Sequence, residues 1–331
     1  MATYKEIHGV KVQSVASDKV TATEGDVWYN ASTSKLKMYA ALGSWATGGN
    51  MNTATDSGGG LGTQAAAIRV AGRAANGNPS TITETYNGTA WTETNDINTA
   101  VYVNRGTGTT TAGMSIGGNV HPNTVVDGVE DYDGTNWTEG AGINTARQSL
   151  GLCGTNTAAL AFAGEIAPGK LVINELWDGS SWTEVADVNT ARQGLLGTGT
   201  STAALAVGGI AGTGTDSGTV HTETYNGTAW TEVGDTNIVR AQTGGGGIST
   251  AALVFGGIST PSEAIQAKNE QWDGSTWTEL GDLNTARWGI HTANNGTTLA
   301  GICIGGDTSP GKLASTEEWD MAASVETVAF D

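Results

Sequence analysis

The chain has 331 residues, 50 of them glycine, a formal net charge of −18 and two cysteines, Cys153 and Cys303. The acidic balance excludes nucleic acid as a partner, because few cations are available to neutralise phosphates. We expect no membrane insertion and no signal peptide, since the sequence has no run of 18 apolar residues and no apolar stretch near Met1. Eleven regularly spaced tryptophans argue against disorder.

Residues 1–40 differ in composition from the rest of the chain. They hold five of the eight lysines and none of the repeated motifs that follow. The stretches at 25–30 and 35–39 predict a β-hairpin around residues 31–34. We therefore expect a separate N-terminal segment, with a flexible leader that packs against the remaining domain as the alternative.

From Trp45 onwards the sequence repeats every 45 to 48 residues. One marker is a tryptophan after an Asn-Gly or Asp-Gly turn, and the other is Asn-Thr-Ala or Asn-Ile-Val, which opens repeats 1 to 6 at positions 52, 98, 144, 189, 237 and 284. The marker tryptophans are Trp91, Trp137, Trp182, Trp230 and Trp277, together with Trp45, which keeps the spacing but follows Gly43-Ser44 instead of such a turn. Two independent markers that stay in step predict one repeat architecture rather than several domains.

Each repeat predicts a four-stranded antiparallel sheet. Asn-Gly and Asp-Gly favour tight hairpin turns, so the aromatic residue before the turn and the tryptophan after it lie on two paired strands. Sheets of this kind bury both faces when they stack around a ring. The predicted fold is all-β, a six-bladed β-propeller over residues 41–320, in which each tryptophan buried between blades contributes on the order of 4–6 kcal/mol as an upper bound.

The ring needs a last strand, because neither an Asn-Gly or Asp-Gly turn nor a further tryptophan follows Trp319. We predict that the N-terminal strand around Trp45 pairs with the blade that contains Trp319 and closes the ring. In the alternative, Val325 to Phe330 supply that strand. Residues 321–331 are accordingly a C-terminal tail or a last strand.

Several repeated features resemble the kelch family. These are the doubled glycine after an apolar strand, the Tyr or Trp before the turn, the Trp after it, and the arginine at 147, 192, 240 and 287. The resemblance covers residues 41–320 and implies a kelch-type propeller. It departs at Thr55 and Val101, which take the arginine position, and at Gly72 and Gly164, which follow alanine.

The string EGDVWYNASTSKLKMY in the N-terminal segment resembles a small hairpin of tail-fibre and other virion proteins of bacterial viruses. Phrases such as NTAR and TAAL are similar to kelch-like proteins of marine and cyanobacterial phages. The resemblance implies a virion structural protein (tail fibre, spike or capsid-surface subunit), made in the host cytoplasm and located in the particle. It implies attachment to other virion proteins through Trp28, Tyr29, Lys35 and Lys37. A cellular kelch-type interaction module is the alternative.

We expect no enzyme and no cofactor or metal. The histidines at 8, 121, 221 and 291 have no metal-ligand spacing. One glutamate recurs in all six repeats and is predicted to be structural, bonded to an arginine or backbone group of the next blade: Glu84, Glu130, Glu175, Glu223, Glu270 and Glu317. A propeller hydrolase or oxidase is the weakest alternative.

The repeats differ mainly in the connection that follows the glycine doublet. All five prolines lie there. Variable loops on a rigid scaffold favour binding, so we predict that this rim recognises a glycan or protein of the host surface. The predicted rim residues are Asn76, Asn78, His121, Asn123, Lys170, Asp216, Lys268, Asp307 and Lys312. The sequence leaves open whether the protein forms a homo-oligomer.

Overall fold

The computed structural model describes residues 12–19, 21, 26–212, 217–309 and 311–327, with residues 39–42, 217 and 322–327 described by their backbone only. These residues form strands and turns, and none of them belongs to a helix that could cross a membrane. The chain divides into two compact units: Met1–Gly43 with Met321–Asp331, and Ser44–Asp320.

The smaller unit contains a hairpin at the position where the sequence predicts one. Its strands are β1 (Gln13–Val15), β2 (Val27–Asn30) and the beginning of β3 (Lys35–Thr47). β2 pairs antiparallel with β3 around residues 31–34, and β1 pairs parallel with β2. The Asp18 carboxylate accepts hydrogen bonds from Trp28 Nε1 at 3.3 Å and Asn30 Nδ2 at 2.7 Å, which joins the loop between β1 and β2 to the hairpin.

The larger unit contains the six repeats. The strands of repeat 1 are β4 (Thr55–Asp56), β5 (Gly59–Thr63), β6 (Ala66–Val70), β7 (Arg73–Ala74), β8 (Thr83–Tyr86) and β9 (Trp91–Thr94). Those of repeat 2 are β10 (Arg105–Thr109), β11 (Ala112–Ile116), β12 (Asn119–Val120), β13 (Thr124–Val125), β14 (Val129–Tyr132) and β15 (Trp137–Glu139). Those of repeat 3 are β16 (Gly151–Thr155), β17 (Ala158–Phe162), β18 (Glu165–Ile166), β19 (Gly169–Lys170), β20 (Asn174–Trp177) and β21 (Trp182–Val185).

Repeats 4 to 6 follow the same order. The strands of repeat 4 are β22 (Arg192–Gln193), β23 (Leu196–Thr200), β24 (Ala203–Val207), β25 (Ile210–Ala211), β26 (Ser217–Gly218), β27 (Thr222–Tyr225) and β28 (Trp230–Glu232). Those of repeat 5 are β29 (Gly244–Ile248), β30 (Ala251–Phe255), β31 (Ile258–Ser259), β32 (Ala264–Ile265), β33 (Asn269–Trp272) and β34 (Trp277–Glu279). Repeat 6 has β35 (His291–Thr292), β36 (Ala300–Ile304) and β37 (Thr316–Thr327).

Repeats 1 to 5 each form one four-stranded antiparallel sheet, as the sequence predicts. The strand orders are β5-β6-β8-β9, β10-β11-β14-β15, β16-β17-β20-β21, β23-β24-β27-β28 and β29-β30-β33-β34. The short strands in between form separate two- or three-stranded pieces, mostly in the connection after the glycine doublet.

In repeat 6 the fourth strand comes from the N-terminal side of the chain. β3 is the neighbour of β37, and the rings of Trp45 and Trp319 lie 5.5 Å apart between centroids. The strand with Trp45 therefore pairs beside the strand with Trp319, as predicted. Of the alternative strand from Val325 to Phe330, residues 325–327 belong to β37, which continues unbroken from Thr316 to Thr327, and residues 328–330 lie outside the described part of the chain.

A closed cycle of backbone hydrogen bonds links the six repeats. In each repeat one residue just before the first long strand has a left-handed φ of 51 to 65°. Its N–H donates to the carbonyl oxygen of the equivalent residue in the preceding repeat, over 2.5 to 3.0 Å. The residues are Ser57, Val103, Ser149, Gly194, Gln242 and Gly289. Since Ser57 N–H donates to Gly289 at 2.7 Å, the cycle has no free end.

The glycine doublet forms a second cycle. The N–H of its second residue donates to the carbonyl at the arginine position of the next repeat, and Gly306 donates to Thr55 at 3.1 Å to complete the cycle. The first doublet residue has φ of 56 to 63° and the second 93 to 107°. Ordinary residues tolerate the first value at a cost, but only glycine adopts the second readily. Ala71 and Ala163 therefore replace glycine at the first position without breaking the pattern.

Each marker tryptophan packs between its own repeat and the preceding one. All six are buried, with 5 to 7% of the side chain exposed. Trp182 of repeat 3 contacts the cluster that contains Met114 and Ile116 of repeat 2, and its Nε1 donates to Ala141 O at 3.0 Å. Trp91 Nε1 of repeat 1 donates to the Thr316 hydroxyl Oγ1 of repeat 6 at 3.0 Å. The predicted core role of these tryptophans is confirmed.

Candidate functional site

The recurring glutamate forms a buried ion pair in five of the six repeats. In repeats 3 to 6 its partner is the motif arginine: Arg147–Glu175, Arg192–Glu223, Arg240–Glu270 and Arg287–Glu317. In every repeat the carboxylate also accepts the backbone N–H of the asparagine that opens the repeat. The prediction that this glutamate bonds to a group of the next blade is wrong. The strand that carries the glutamate lies beside the segment that leads into the first strand of the same sheet.

Repeat 1 keeps the ion pair with an arginine from another strand. Thr55 occupies the motif position, but Arg69 on β6 lies opposite Glu84 in the strand register. Its Nη2 donates to Glu84 Oε1 at 2.5 Å, and both side chains are fully buried. Sequence reasoning missed this substitution. The signal was an arginine at a position where repeats 3 and 4 have alanine and repeat 5 has valine.

Repeat 2 has neither arginine. Val101 occupies the motif position and Ser115 the position of Arg69. A cavity of about 300 Å³ opens there, lined by Val101, Ser115, Gly117, Gly128 and Glu130 among others. Glu130 is only 6% exposed. Among the described residues, Glu130 is the one recurring glutamate that has no ion pair with an arginine.

The predicted rim residues fall into an exposed group and an engaged group. Asn76 and Asn78 are exposed in the turn that follows β7, where Asn78 N–H donates to Asn76 Oδ1 at 3.0 Å. His121 and Asn123 are exposed in the turn between β12 and β13. Asp216 lies outside the described residues.

The three rim lysines are half-buried and bind their own chain. Lys312 lies 2.8 Å from the buried Asp56 carboxylate and 3.5 Å from Asp307. Lys170 donates to Gly212 O at 2.9 Å, and Lys268 pairs with Glu279 at 2.5 Å and Asp282 at 3.2 Å. These contacts hold loops in place, so the described rim offers mainly exposed amides and the His121 imidazole to a ligand.

The residues predicted for virion attachment differ in exposure. Trp28 is completely buried, whereas Tyr29 is 39% exposed. Lys35 is exposed and Lys37 is half-buried. Trp28 therefore stabilises the hairpin, and the side chains that a partner can reach are those of Tyr29 and the two lysines.

His221, Glu232 and Asp235 each place one potential metal ligand within 4.8 Å of the others. The sequence did not indicate this cluster, because His221 lies just before β27, Glu232 ends β28 and Asp235 lies in the loop after it. In repeat 5 the equivalent residues are Lys268, Glu279 and Asp282, which form an ion-paired group. Repeat 4 therefore has a histidine at the position where repeat 5 has the lysine of this group.

The centre of the repeat array has little room for a ligand. Asn294 Nδ2 donates to Leu152 O at 2.9 Å and Asn295 Nδ2 donates to Gly108 O at 2.6 Å, so one loop of repeat 6 reaches strands of repeats 2 and 3. Two cavities of about 10 Å³ lie beside Arg105, whose pKa is lowered to about 10 by burial. Such a volume holds roughly one water molecule.

Three titratable groups in the interior are structural. His291 is completely buried, and burial lowers its pKa to about 4, so the ring is neutral between Thr55 Oγ1 at 3.1 Å and Gly59 O at 3.3 Å. Burial raises the pKa of both Cys153 and Cys303 far above neutral pH, which keeps the thiols protonated and unreactive.

No protein-family model matches the chain, and a search of curated proteins finds no match either.

Proposed function

We propose that this protein is a non-enzymatic binding scaffold, a six-bladed kelch-type β-propeller that serves as a structural and host-recognition subunit of a bacteriophage particle. The observation that carries the scaffold is the pair of hydrogen-bond cycles that run through all six repeats. The packing of each marker tryptophan on the preceding repeat supports the same ring. A closed ring leaves no unprotected sheet edge, which suits a protein exposed outside a cell.

The proposed receptor surface is the set of connections after the glycine doublets. These connections are tied down at their base by the second cycle, while their tips differ from repeat to repeat. Exposed amides such as Asn76, Asn78 and Asn123 donate and accept hydrogen bonds at once, as glycan hydroxyls require. A rigid base with variable polar tips supports recognition of a host glycan or protein.

The proposed attachment surface is the N-terminal hairpin. Lys35, Lys37 and Tyr29 lie on its two strands, in a chain whose net charge is −18. A cationic, partly aromatic surface differs from the acidic remainder and suits a different neighbour, here another virion protein.

The proposal is tested by deleting residues 1–40 and, separately, by exchanging the rim turns at 75–79 and 121–124 for the turn of another repeat. We expect the truncated protein to fold, because all repeat markers are kept, and to be absent from purified particles by mass spectrometry. We expect the exchanged protein to be incorporated but to adsorb to a different range of hosts. The substitution Tyr29→Ser with Lys35→Ser is the milder control for the deletion.

Incorporation of the truncated protein would place the anchor on the larger unit. Unchanged adsorption after both exchanges would remove the rim as the receptor surface. Absence of the intact protein from particles would contradict the virion role and favour a cellular kelch-type interaction module.

A further inference from the structure

Three of the five buried guanidinium groups share one set of acceptors, at 2.5 to 3.3 Å. The set comprises the recurring carboxylate, the carbonyl of the first doublet residue, and the carbonyl two positions before the glutamate. The acceptors are Glu84, Ala71 and Ile82 for Arg69; Glu223, Gly208 and His221 for Arg192; and Glu317, Gly305 and Ser315 for Arg287.

Arg69 shows that this acceptor set does not depend on where the guanidinium is attached. It comes from β6, whereas Arg192 and Arg287 come from the segment before the first long strand. Both routes bring a guanidinium to the same three oxygens. The acceptors themselves therefore define the site, and a guanidinium from a separate molecule meets the same geometry.

Repeat 2 has all three acceptors but no guanidinium bonded to them, since its one arginine, Arg105, donates to Asn104 O instead. The equivalent residues are Glu130, Gly117 and Gly128, and all three line the cavity of about 300 Å³. Glu130 accepts N–H groups of Asn98 at 2.8 Å and Thr99 at 2.8 Å, as its counterparts accept the opening residues of their own repeats. What differs is the missing cation, and a buried carboxylate without one is costly.

A second substitution opens this cavity to solvent. The residue two positions before the glutamate is Ile82, Ile173, His221, Lys268 or Ser315 in the other repeats, and Gly128 in repeat 2. Gly128 has no side chain to fill this space, and the exposed Asp127 and Glu139 also line the cavity. Ile97, Val101 and Val126 supply apolar walls to the cavity. Methylene groups fit along such walls while the charged end reaches Glu130.

We infer that this cavity, the repeat 2 pocket, binds a guanidinium group: either a small alkylguanidine or the arginine side chain of a protein partner. The planar fork of a guanidinium matches a carboxylate flanked by carbonyl oxygens, and a compact ammonium group does not. The site is independent of the proposed virion role, because its evidence lies entirely within repeats of this chain.

The experiment measures binding of agmatine and of a capped Gly-Arg-Gly peptide by isothermal titration calorimetry, with butylamine and a capped Gly-Lys-Gly peptide as matched ammonium probes. Agmatine carries an ammonium group of its own, so methylguanidinium is a third probe. We expect saturable binding of the guanidinium probes. The affinity of the ammonium probes is expected to be lower by about tenfold or more, which corresponds to the loss of roughly one charge-assisted hydrogen bond. Binding of agmatine but not the peptide would identify a small-molecule site, and tighter binding of the peptide a protein partner.

The variant Val101→Arg places the motif arginine back into repeat 2, and Thr183→Arg, at an exposed position of repeat 3 outside the cavity, is the control for the added charge. We expect Val101→Arg to lose saturable binding and to raise the melting temperature, whereas Thr183→Arg keeps binding within about threefold. Absence of saturable guanidinium binding to the parent protein, or undiminished binding to a folded Val101→Arg variant, would overturn the inference.

Discussion

Replacing Arg192 by alanine is expected to lower the free energy of unfolding by about 3–5 kcal/mol. The substitution leaves the Glu223 carboxylate, which is fully buried, without the guanidinium that lies 2.9 Å away. It also removes the donor to Gly208 O and His221 O. Urea unfolding followed by tryptophan fluorescence measures the change.

Lys268→Ala is the matched control, because it removes an ion pair that is exposed to solvent instead of buried. Lys268 is 39% exposed and its partner Glu279 52%, so its loss is expected to cost less than about 1 kcal/mol. The double variant Arg192→Met with Glu223→Gln is expected to recover part of the loss, since no charge remains buried. Equal losses for Arg192→Ala and Lys268→Ala would contradict the assignment of the Arg–Glu pairs to the interior.

Replacing Trp182 by alanine is expected to destabilise the protein by about 3–5 kcal/mol, as other truncations of large buried side chains do. Trp182 is 7% exposed and fills the space between repeats 2 and 3, where it contacts the cluster with Met114 and Leu152. Thermal or urea unfolding of the variant measures the loss.

Thr183→Ala is the control, because Thr183 is the next residue on β21 and points to solvent. We expect a change below about 0.5 kcal/mol for it. A loss as large as that for Trp182→Ala would mean that the two faces of this strand have been assigned the wrong way round.

The repeat pattern predicted the local structure well because turn chemistry and period determine it. Asn-Gly and Asp-Gly fix the register of each hairpin, so Trp182 pairs with Trp177 and Trp277 with Trp272 as the spacing requires. The missing tryptophan after Trp319 predicted the placement of Trp45 beside it. These features depend on residues close in sequence or on a simple count of strands.

Features that depend on contacts between strands were not predictable in the same way. Arg69 replaces the motif arginine because the strand register sets it opposite Glu84, not because it lies at the motif position. The repeat 2 pocket depends on two substitutions together: valine replaces the motif arginine at position 101, and glycine replaces a larger side chain at position 128. The sequence shows Val101 as a departure from the motif, but the resulting cavity is a property of the packed sheet.

Amide hydrogen exchange of Ser57, Val103, Ser149, Gly194, Gln242 and Gly289 under native conditions tests the proposed closed ring most directly. In a closed ring none of the six hydrogen bonds lies at an end, so we predict similar protection, within about tenfold, for all six amides. An open array of repeats frays from its ends. The bond from the Ser57 amide to Gly289 joins repeats 1 and 6. The ring would be contradicted if the Ser57 amide exchanged hundreds of times faster than the amides of Ser149 and Gly194.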